Sequence, residues 1–160
     1  GLYWLKNSDH QPAARSLFIT PHAGEAASLL STSTALIEAD RIQAAKSLVT
    51  TYKCHALLKG PGSVVIACTN VHICAHGGPA MATAGMGDVL SGICAGLLAP
   101  LSATGGLEQV AGAFAQAVAL HSASADLAAE EGSPRSIIAT DVIERLPRLL
   151  AGEETFVTNC

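Results

Sequence analysis

Residues Pro79–Gly92 read PAMATAGMGDVLSG. Small residues and two glycines lead to one carboxylate, Asp88, and an apolar run begins at once with Val89. The pattern reads as a flexible loop feeding a helix. Its glycines let successive backbone N–H groups point into one concavity that suits an anion. The helix behind it adds free N–H groups and a positive end. Together they would hold a phosphate. Asp88 then has two readings. It caps the helix, or it is a base that takes a proton from a nucleophile beside the phosphate. Spacing alone leaves both open.

Working outward, two more loops carry polar groups at strand ends. In HALLKGPGSVV a strand over 55–60 runs into Lys59-Gly60-Pro61-Gly62-Ser63. Lys59 could meet a phosphate and the glycines allow close backbone approach; the other reading is a β-turn joining two strands. In SLFITPHAGEAASLL a strand over 16–20 ends at Thr20, and Pro21-His22-Ala23-Gly24-Glu25 turns into a helix. His22 could hydrogen-bond a polar ligand, while Glu25 reads as a first-turn acid favoured by the helix dipole. Strand C-terminal ends are where open α/β sheets bind ligands, so the three loops are expected to gather along one sheet edge.

The remaining pattern alternates between strand and helix signals. STSTALIEADRIQAAKSLVTTY predicts one helix with hydroxyl N-caps and Ile42, Ala45, Val49 and Tyr52 on one face. SVVIAC and VHICAH, split by Thr69-Asn70, predict a hairpin. Beyond Asp88, Val89, Leu90, Ile93, Cys94, Leu97 and Leu98 share a helical face, with Gly92 and Gly96 one turn apart for close helix packing. A second helix is predicted over about 107–129, with Val110, Phe114, Ala117, Val118 and His121 in its stripe. His121 reads as a packed histidine and Asp126 as its partner or a solvated acid. A third helix is predicted with Asp141 as N-cap and Glu144 completing a capping box, ending between Pro147 and Gly152. The tail from Glu153 to Cys160 is expected to fray. About four strands and a helical last third make an α/β domain. The sheet is thin for such apolar helices, which suggests the second half of a larger domain.

Bulk properties narrow the partners. Across 160 residues, 49% are hydrophobic and only 14% charged, which excludes disorder. A net charge of −4 gives no basic footprint for nucleic acid. Residues 89–107 and 109–125 carry no charge, but their polar and small residues argue for buried Ala-rich helices and no membrane hairpin. The opening GLYWLKNSDH has no signal-peptide pattern, and its lack of Met suggests a processed chain or a fragment. Five irregularly spaced cysteines suit free thiols in a reducing cytoplasm.

The three motifs, in this order, resemble the NAD(P)H-hydrate dehydratase family, which has the ribokinase-like fold. Its T-P-H-P-G-E is matched by Thr20–Glu25, with Ala23 for the second proline. Its K-G-x-G-[ST] is matched by Lys59–Ser63. Its G-x-[AS]-x-x-G-x-G-D-V-L-[SA]-G is matched by Gly78 with PAMATAGMGDVLSG, and ATD by Ala139-Thr140-Asp141. The opening GLYWLK is similar to the segment after the family's D-A-D strand. The likeness runs over about residues 1–150. It implies an incomplete ribokinase-like fold, a mostly parallel sheet with an antiparallel edge hairpin and a helical C-terminal third. On that view residues 1–152 are the C-terminal half of a dehydratase domain.

The resemblance also implies a repair reaction: ADP-dependent dehydration of hydrated NADH or NADPH to NAD(P)H, giving AMP and phosphate. His22 would touch the hydrated dinucleotide. Lys59, Gly60, Pro61, Gly62, Ser63 and Val64 would line the adenine nucleotide, ADP or ATP, with its phosphates at Gly85, Met86 and Gly87. Asp88 would sit at the C6 hydroxyl as base. Mg²⁺ is expected on the nucleotide phosphates, with no dedicated protein metal site. Family segments that precede this stretch have no counterpart here, so weak or no activity alone is expected, with assembly into a homo-oligomer one outcome of an exposed sheet edge and helix face. Other readings stay open: a small-alcohol kinase of the same superfamily, where asparagine is the usual residue in place of His22; a nucleotide-binding fragment without turnover; and a zinc site at His72, Cys74 and His76 with Cys68 nearby.

Overall fold

The computed structural model describes residues 2–7, 17–102, 105–135 and 137–152; the tail expected to fray lies outside them. The chain forms two compact units, residues 1–73 and 74–160.

In the first unit, helices α1 (Leu2–Asn7), α2 (Ala23–Leu29), α3 (Thr34–Ala39) and α4 (Arg41–Tyr52) accompany strands β1 (Phe18–Ile19), β2 (His55–Leu58), β3 (Ser63–Ala67) and β4 (Asn70–Cys74). The strands lie in the order β1-β2-β3-β4. β1 and β2 run parallel, with Phe18 opposite His55 and Ile19 opposite Ala56. β2 and β3 run antiparallel, with Leu57 opposite Val65. Parallel neighbours need a crossover of a dozen or more residues. Residues 20–54 supply one; residues 59–62, and 68–69 before β4, do not. The antiparallel share is therefore larger than a single edge hairpin.

Every residue of β2 is buried, as are Val64 to Ala67 of β3. This explains their unbroken apolar runs, since a strand covered on both faces has no polar alternation. Ala26 and Leu29 of α2, Ile37 of α3, and Ala45 and Leu48 of α4 complete this core. Full burial of a side chain such as Leu48 contributes about 1.5–3 kcal/mol. Tyr52 is held in the core by its hydroxyl, which donates to the Leu29 carbonyl at 2.9 Å.

The single helix expected over residues 31–52 is two. Asp40 adopts φ −147°, ψ 85°, ends α3, and accepts the Gln43 N–H on Oδ1 at 2.8 Å to start α4. A short acid that bonds its own downstream backbone competes with helix continuation. The expected hydroxyl cap is present at Ser33, whose Oγ accepts from Leu36 N. The buried face of α4 is Ala44, Ala45, Leu48 and Tyr52, and Ile42 is exposed. Ala45 and Tyr52 belong to the expected face, while Ala44 and Leu48 are buried where Ile42 and Val49 were expected.

In the second unit a 3-10 turn (Pro79–Met81) leads to α5 (Met86–Ser102), α6 (Leu107–Glu131) and α7 (Ala139–Ala151). α6 buries Val110, Phe114, Ala117, Val118 and His121, the expected stripe. α5 buries Leu90, Cys94 and Leu98. Among the described residues Gly92 and Gly96 mediate no close packing: a Cβ at either would meet none of them within 4 Å. They line an apolar groove of ≈ 550 Å³ with Leu120, Ile143 and Leu150, and Asp88 borders it. Asp141 is at the third position of α7, where its Oδ2 accepts the Ile138 N–H at 2.8 Å; Ile138 is the N-cap. Arg145 and Arg148 tie α7 to Glu131 on α6. The Arg148 hydrogen bond, with Arg145 beside it, pulls the Glu131 carboxyl below its usual range.

Candidate active site

The loop after β1 is closed by a reciprocal cap. His22 is the N-cap of α2, and its Nδ1 accepts from Gly24 N at 3.1 Å and Glu25 N at 3.2 Å. Glu25 Oε2 accepts the His22 N–H in return at 2.8 Å. This is the capping box in which an N3 carboxylate satisfies the N-cap, with imidazole in the usual hydroxyl's place. Because Nδ1 accepts, the neutral ring carries its proton on Nε2. Nε2 lies 3.5 Å from Glu25 Oε2, and the ring is largely exposed.

The loop after β2 is bound to this one. Lys59 N donates to the Pro21 carbonyl at 2.8 Å, pairing His22 and Lys59 in an isolated parallel bridge. Lys59 Nζ lies 3.8 Å from Glu25 Oε2. So the expected helix acid Glu25 also faces the cation expected to meet a phosphate. Gly60 has φ +151°, a conformation that favours glycine, and a Cβ there would come within 2.7 Å of the Arg41 guanidinium. Arg41 is fixed by Leu58 O at 3.1 Å and by Glu38. Ser63 Oγ donates to Gly60 O at 3.1 Å, which draws the turn shut. Pro61 and Gly62 are exposed and Val64 is buried.

Under this pair, His55 of β2 stacks on Phe18 with ring centroids 4.6 Å apart. Its Nδ1 accepts from Cys68 N at 3.1 Å, and burial pushes its pKa down. Burial also pushes the Cys54 thiol up to about 12 and the Cys94 thiol up to about 11. Neither is a ready nucleophile at neutral pH.

In the second unit, Gly85 has φ +85° and its carbonyl accepts from Asp88 N at 3.1 Å and Val89 N at 3.0 Å. Met86 is buried, Gly87 half-buried and Asp88 exposed. Asp88 thus stands at the third position of α5, not at its cap. Among the described residues, no hydrogen-bond donor or cation is paired with its carboxylate. A first-turn carboxylate gains only the dipole there. Its chemistry, an exposed acceptor beside free helix N–H groups, suits taking a proton next to an anion.

Four contacts were not foreseen. Arg41 gave no local signal. Ala139, from the ATD motif, has its Cβ 3.1 Å from where a Gly85 Cβ would stand. Glu25 contacts Lys59 as well as capping α2. Asp126, expected beside His121 or solvent, accepts the Gly77 N–H at 2.9 Å and lies 3.5 Å from His76 Nδ1. His72, Cys74 and His76 do not make a zinc centre: among the described residues no group of three or more His, Cys, Asp or Glu is arranged to hold a metal. Among the same residues no helix is long and apolar enough to cross a membrane.

A family model for NAD(P)H-hydrate dehydratase matches residues 1–148. The bifunctional NAD(P)H-hydrate repair enzyme of Escherichia coli (strain K12) is 45% identical over 138 residues, covering 86% of this chain and 26% of that protein. The ADP/ATP-dependent NAD(P)H-hydrate dehydratase from Bacillus subtilis, co-crystallised with ATP/Mg²⁺, superposes with a TM-score of 0.76 at 26% identity, over 87% of this chain and 48% of that one. A ribokinase-like superfamily protein from Enterococcus faecalis V583 gives a TM-score of 0.75 at 25% identity, over 93% of this chain and 49% of that one. The chain thus spans about a quarter of the curated relative and about half of each solved chain. With a ribokinase-like α/β fold and three loops at the motif positions, the chain belongs to the NAD(P)H-hydrate dehydratase family.

Proposed function

We propose that this chain provides nucleotide-binding and proton-accepting residues for ADP-dependent dehydration of hydrated NADH or NADPH. The observation that carries the reading is Asp88, an exposed carboxylate with no partner among the described residues, one turn into a helix that starts at a positive-φ glycine. Asp88 takes the proton of the C6 hydroxyl as that oxygen bonds to the β-phosphorus of ADP. The bond from that phosphorus to the bridging oxygen breaks, and AMP leaves. The phosphorylated C6 oxygen then departs as phosphate while the ring loses a proton, which restores NAD(P)H. Free N–H groups at Gly85, Met86 and Gly87 hold the phosphoryl oxygens, aided by the positive end of α5.

His22, through its Nε2–H, donates to the hydrated dinucleotide. Lys59, Gly60, Pro61, Gly62, Ser63 and Val64 line the adenine nucleotide, with ADP or ATP as co-substrate. Mg²⁺ fits this residue set as a passenger on the phosphates, since it keeps several waters and takes one or two carboxylates, not a full protein cage. When bound, it neutralises phosphate charge. The proposal extends to the cytoplasm as the compartment, supported by the free Cys54, Cys68, Cys74 and Cys94. It also extends to action without nucleic acid or membrane, supported by the net charge of −4, and to self-association into a homo-oligomer, supported by Val71 and Ile73 exposed on β4.

Titration calorimetry of the wild-type chain and Asp88→Asn with Mg·ADP tests this reading. Both should bind, within about threefold of each other, because the phosphate is held by backbone N–H groups and Asp88 acts on the other substrate. Absence of binding by the wild type, or binding that needs Asp88, would overturn it.

A further inference from the structure

The segment from Gly77 to Gly85 leads into α5 and delivers both Gly85 and Asp88. Each of its ends is gripped by a different helix of the second unit. At the entry, Asp126 on α6 accepts the Gly77 N–H on Oδ2 at 2.9 Å, across 49 positions of sequence, with His76 Nδ1 at 3.5 Å from the same oxygen. Gly77 has φ +91°, and a Cβ there would come within 2.6 Å of Met81 Sδ. Met81 in turn packs on the cluster of Met86, Ala125, Ala128, Ile137 and Val142. At the exit, Gly85 has φ +85° and stands against Ala139 at the start of α7.

We propose that Asp126 is a positioning residue for the reaction. Rooted on α6, whose neighbouring Ala125 and Ala128 are buried, its carboxylate gives a loop amide a fixed acceptor on a rigid element. It sets where the segment enters, Met81 relays that setting by packing under Gly77, and Ala139 sets where the segment leaves. The N–H groups at Gly85–Gly87 and the Asp88 carboxylate are thereby aimed together. The inference rests on the reading of this loop as the phosphate-holding one.

The test compares wild type with Asp126→Ala and Asp126→Asn, using amide hydrogen exchange over residues 77–88, melting temperature, and Mg·ADP calorimetry. Alanine keeps the helix, being the best helix former. It should speed exchange at Gly77 and across 85–88 and weaken ADP binding, each by roughly tenfold, the scale of one charge-assisted hydrogen bond. Asparagine keeps an acceptor oxygen of the same reach and should restore both to within about threefold of wild type. Unchanged exchange at 85–88 in the alanine variant would overturn the proposal. So would a lowered melting temperature without that local change, or an asparagine variant as impaired as alanine. If the wild type binds no ADP, the functional reading fails, and the exchange data alone still decide whether Asp126 orders the loop.

Discussion

The two loops of the first unit and the loop at the head of α5 have similar glycine-rich sequences and opposite bonding. In the first unit the polar groups satisfy one another: His22 with Glu25, Glu25 with Lys59, Gly60 with Ser63. At α5 the glycine turn is braced from outside by Ala139, and Asp88 is left without a partner among the described residues. A loop closed on itself is a preformed surface for a ligand. A carboxylate left open at a helix start is a reagent held for a proton. Sequence motifs alone make these loops look alike; their hydrogen bonds separate them.

The sharpest way to break this contrast is Asp88→Asn. Turnover should fall by roughly 10²–10⁴-fold, the range for loss of a general base. The melting temperature should fall only slightly, since among the described residues no partner is lost and only the helix-dipole interaction goes, about 0.3–1 kcal/mol. The assay follows recovery of NADH from its hydrate with ADP and Mg²⁺, with the chain complemented by the remainder of the relatives' domain. A clear drop in melting temperature would mean that Asp88 has a structural partner after all.

Next in size is Gly60→Ala. Its φ of +151° and the Arg41 guanidinium 2.7 Å from an added Cβ should together destabilise the chain by about 1–3 kcal/mol. Gly92→Ala, in a helix with open space above it, should instead stabilise by about 0.5–1 kcal/mol. Urea unfolding measures both. Equal effects would show that the turn at Gly60 is not preformed.

A smaller effect is expected at His22. His22→Ala removes the cap of α2 and should cost about 1 kcal/mol, whereas His22→Asn keeps a good capping side chain and should cost only a few tenths. Both variants should lose affinity for the hydrated dinucleotide, because neither presents a donor where Nε2–H stands. The pair separates the capping role of the residue from its proposed binding role.

The mildest prediction is a pH effect at His55. Burial lowers its pKa below the ordinary 6.5 in the folded chain, so the unfolded chain takes up a proton first as pH falls. Stability from this group is full above pH 6.5 and declines as pH drops from 6.5 through the folded value. Melting curves between pH 7.5 and 5.5 should show that loss in wild type and a shallower one in His55→Asn.

Much of the fold was legible because glycine, proline and apolar runs punctuate it. All four strands lie within the expected runs or a residue or two from them, with Pro21 and Gly60 close behind β1 and β2, although Asn70, expected in the turn, starts β4 and the strand stops at Cys74. The α6 stripe holds residue for residue. What was not legible depends on partners distant in sequence or on a backbone decision at one residue. Asp40 bonds Gln43 and splits a helix whose periodicity reads as continuous. Asp141 caps from the third position, which no spacing rule separates from the first without Ile138 in view. Gly92 and Gly96 have the spacing of a packing seam, yet among the described residues no helix meets them. At the candidate site, the three motif loops were readable as loops, and Glu25 as a helix acid. The brace of Arg41 on Gly60 and the reach of Asp126 to Gly77 leave no periodic trace.

The cap at His22 also limits the traffic of hydrogen ions. A histidine that shuttles protons must take one on one ring nitrogen and release it from the other. Here Nε2 already carries the ring's proton, and Nδ1, the one nitrogen with a lone pair, receives the N–H groups of Gly24 and Glu25, so while the cap stands the ring has no open nitrogen to take a proton. His22 is a terminus for a hydrogen bond, and any relay of protons through this chain must bypass the imidazole.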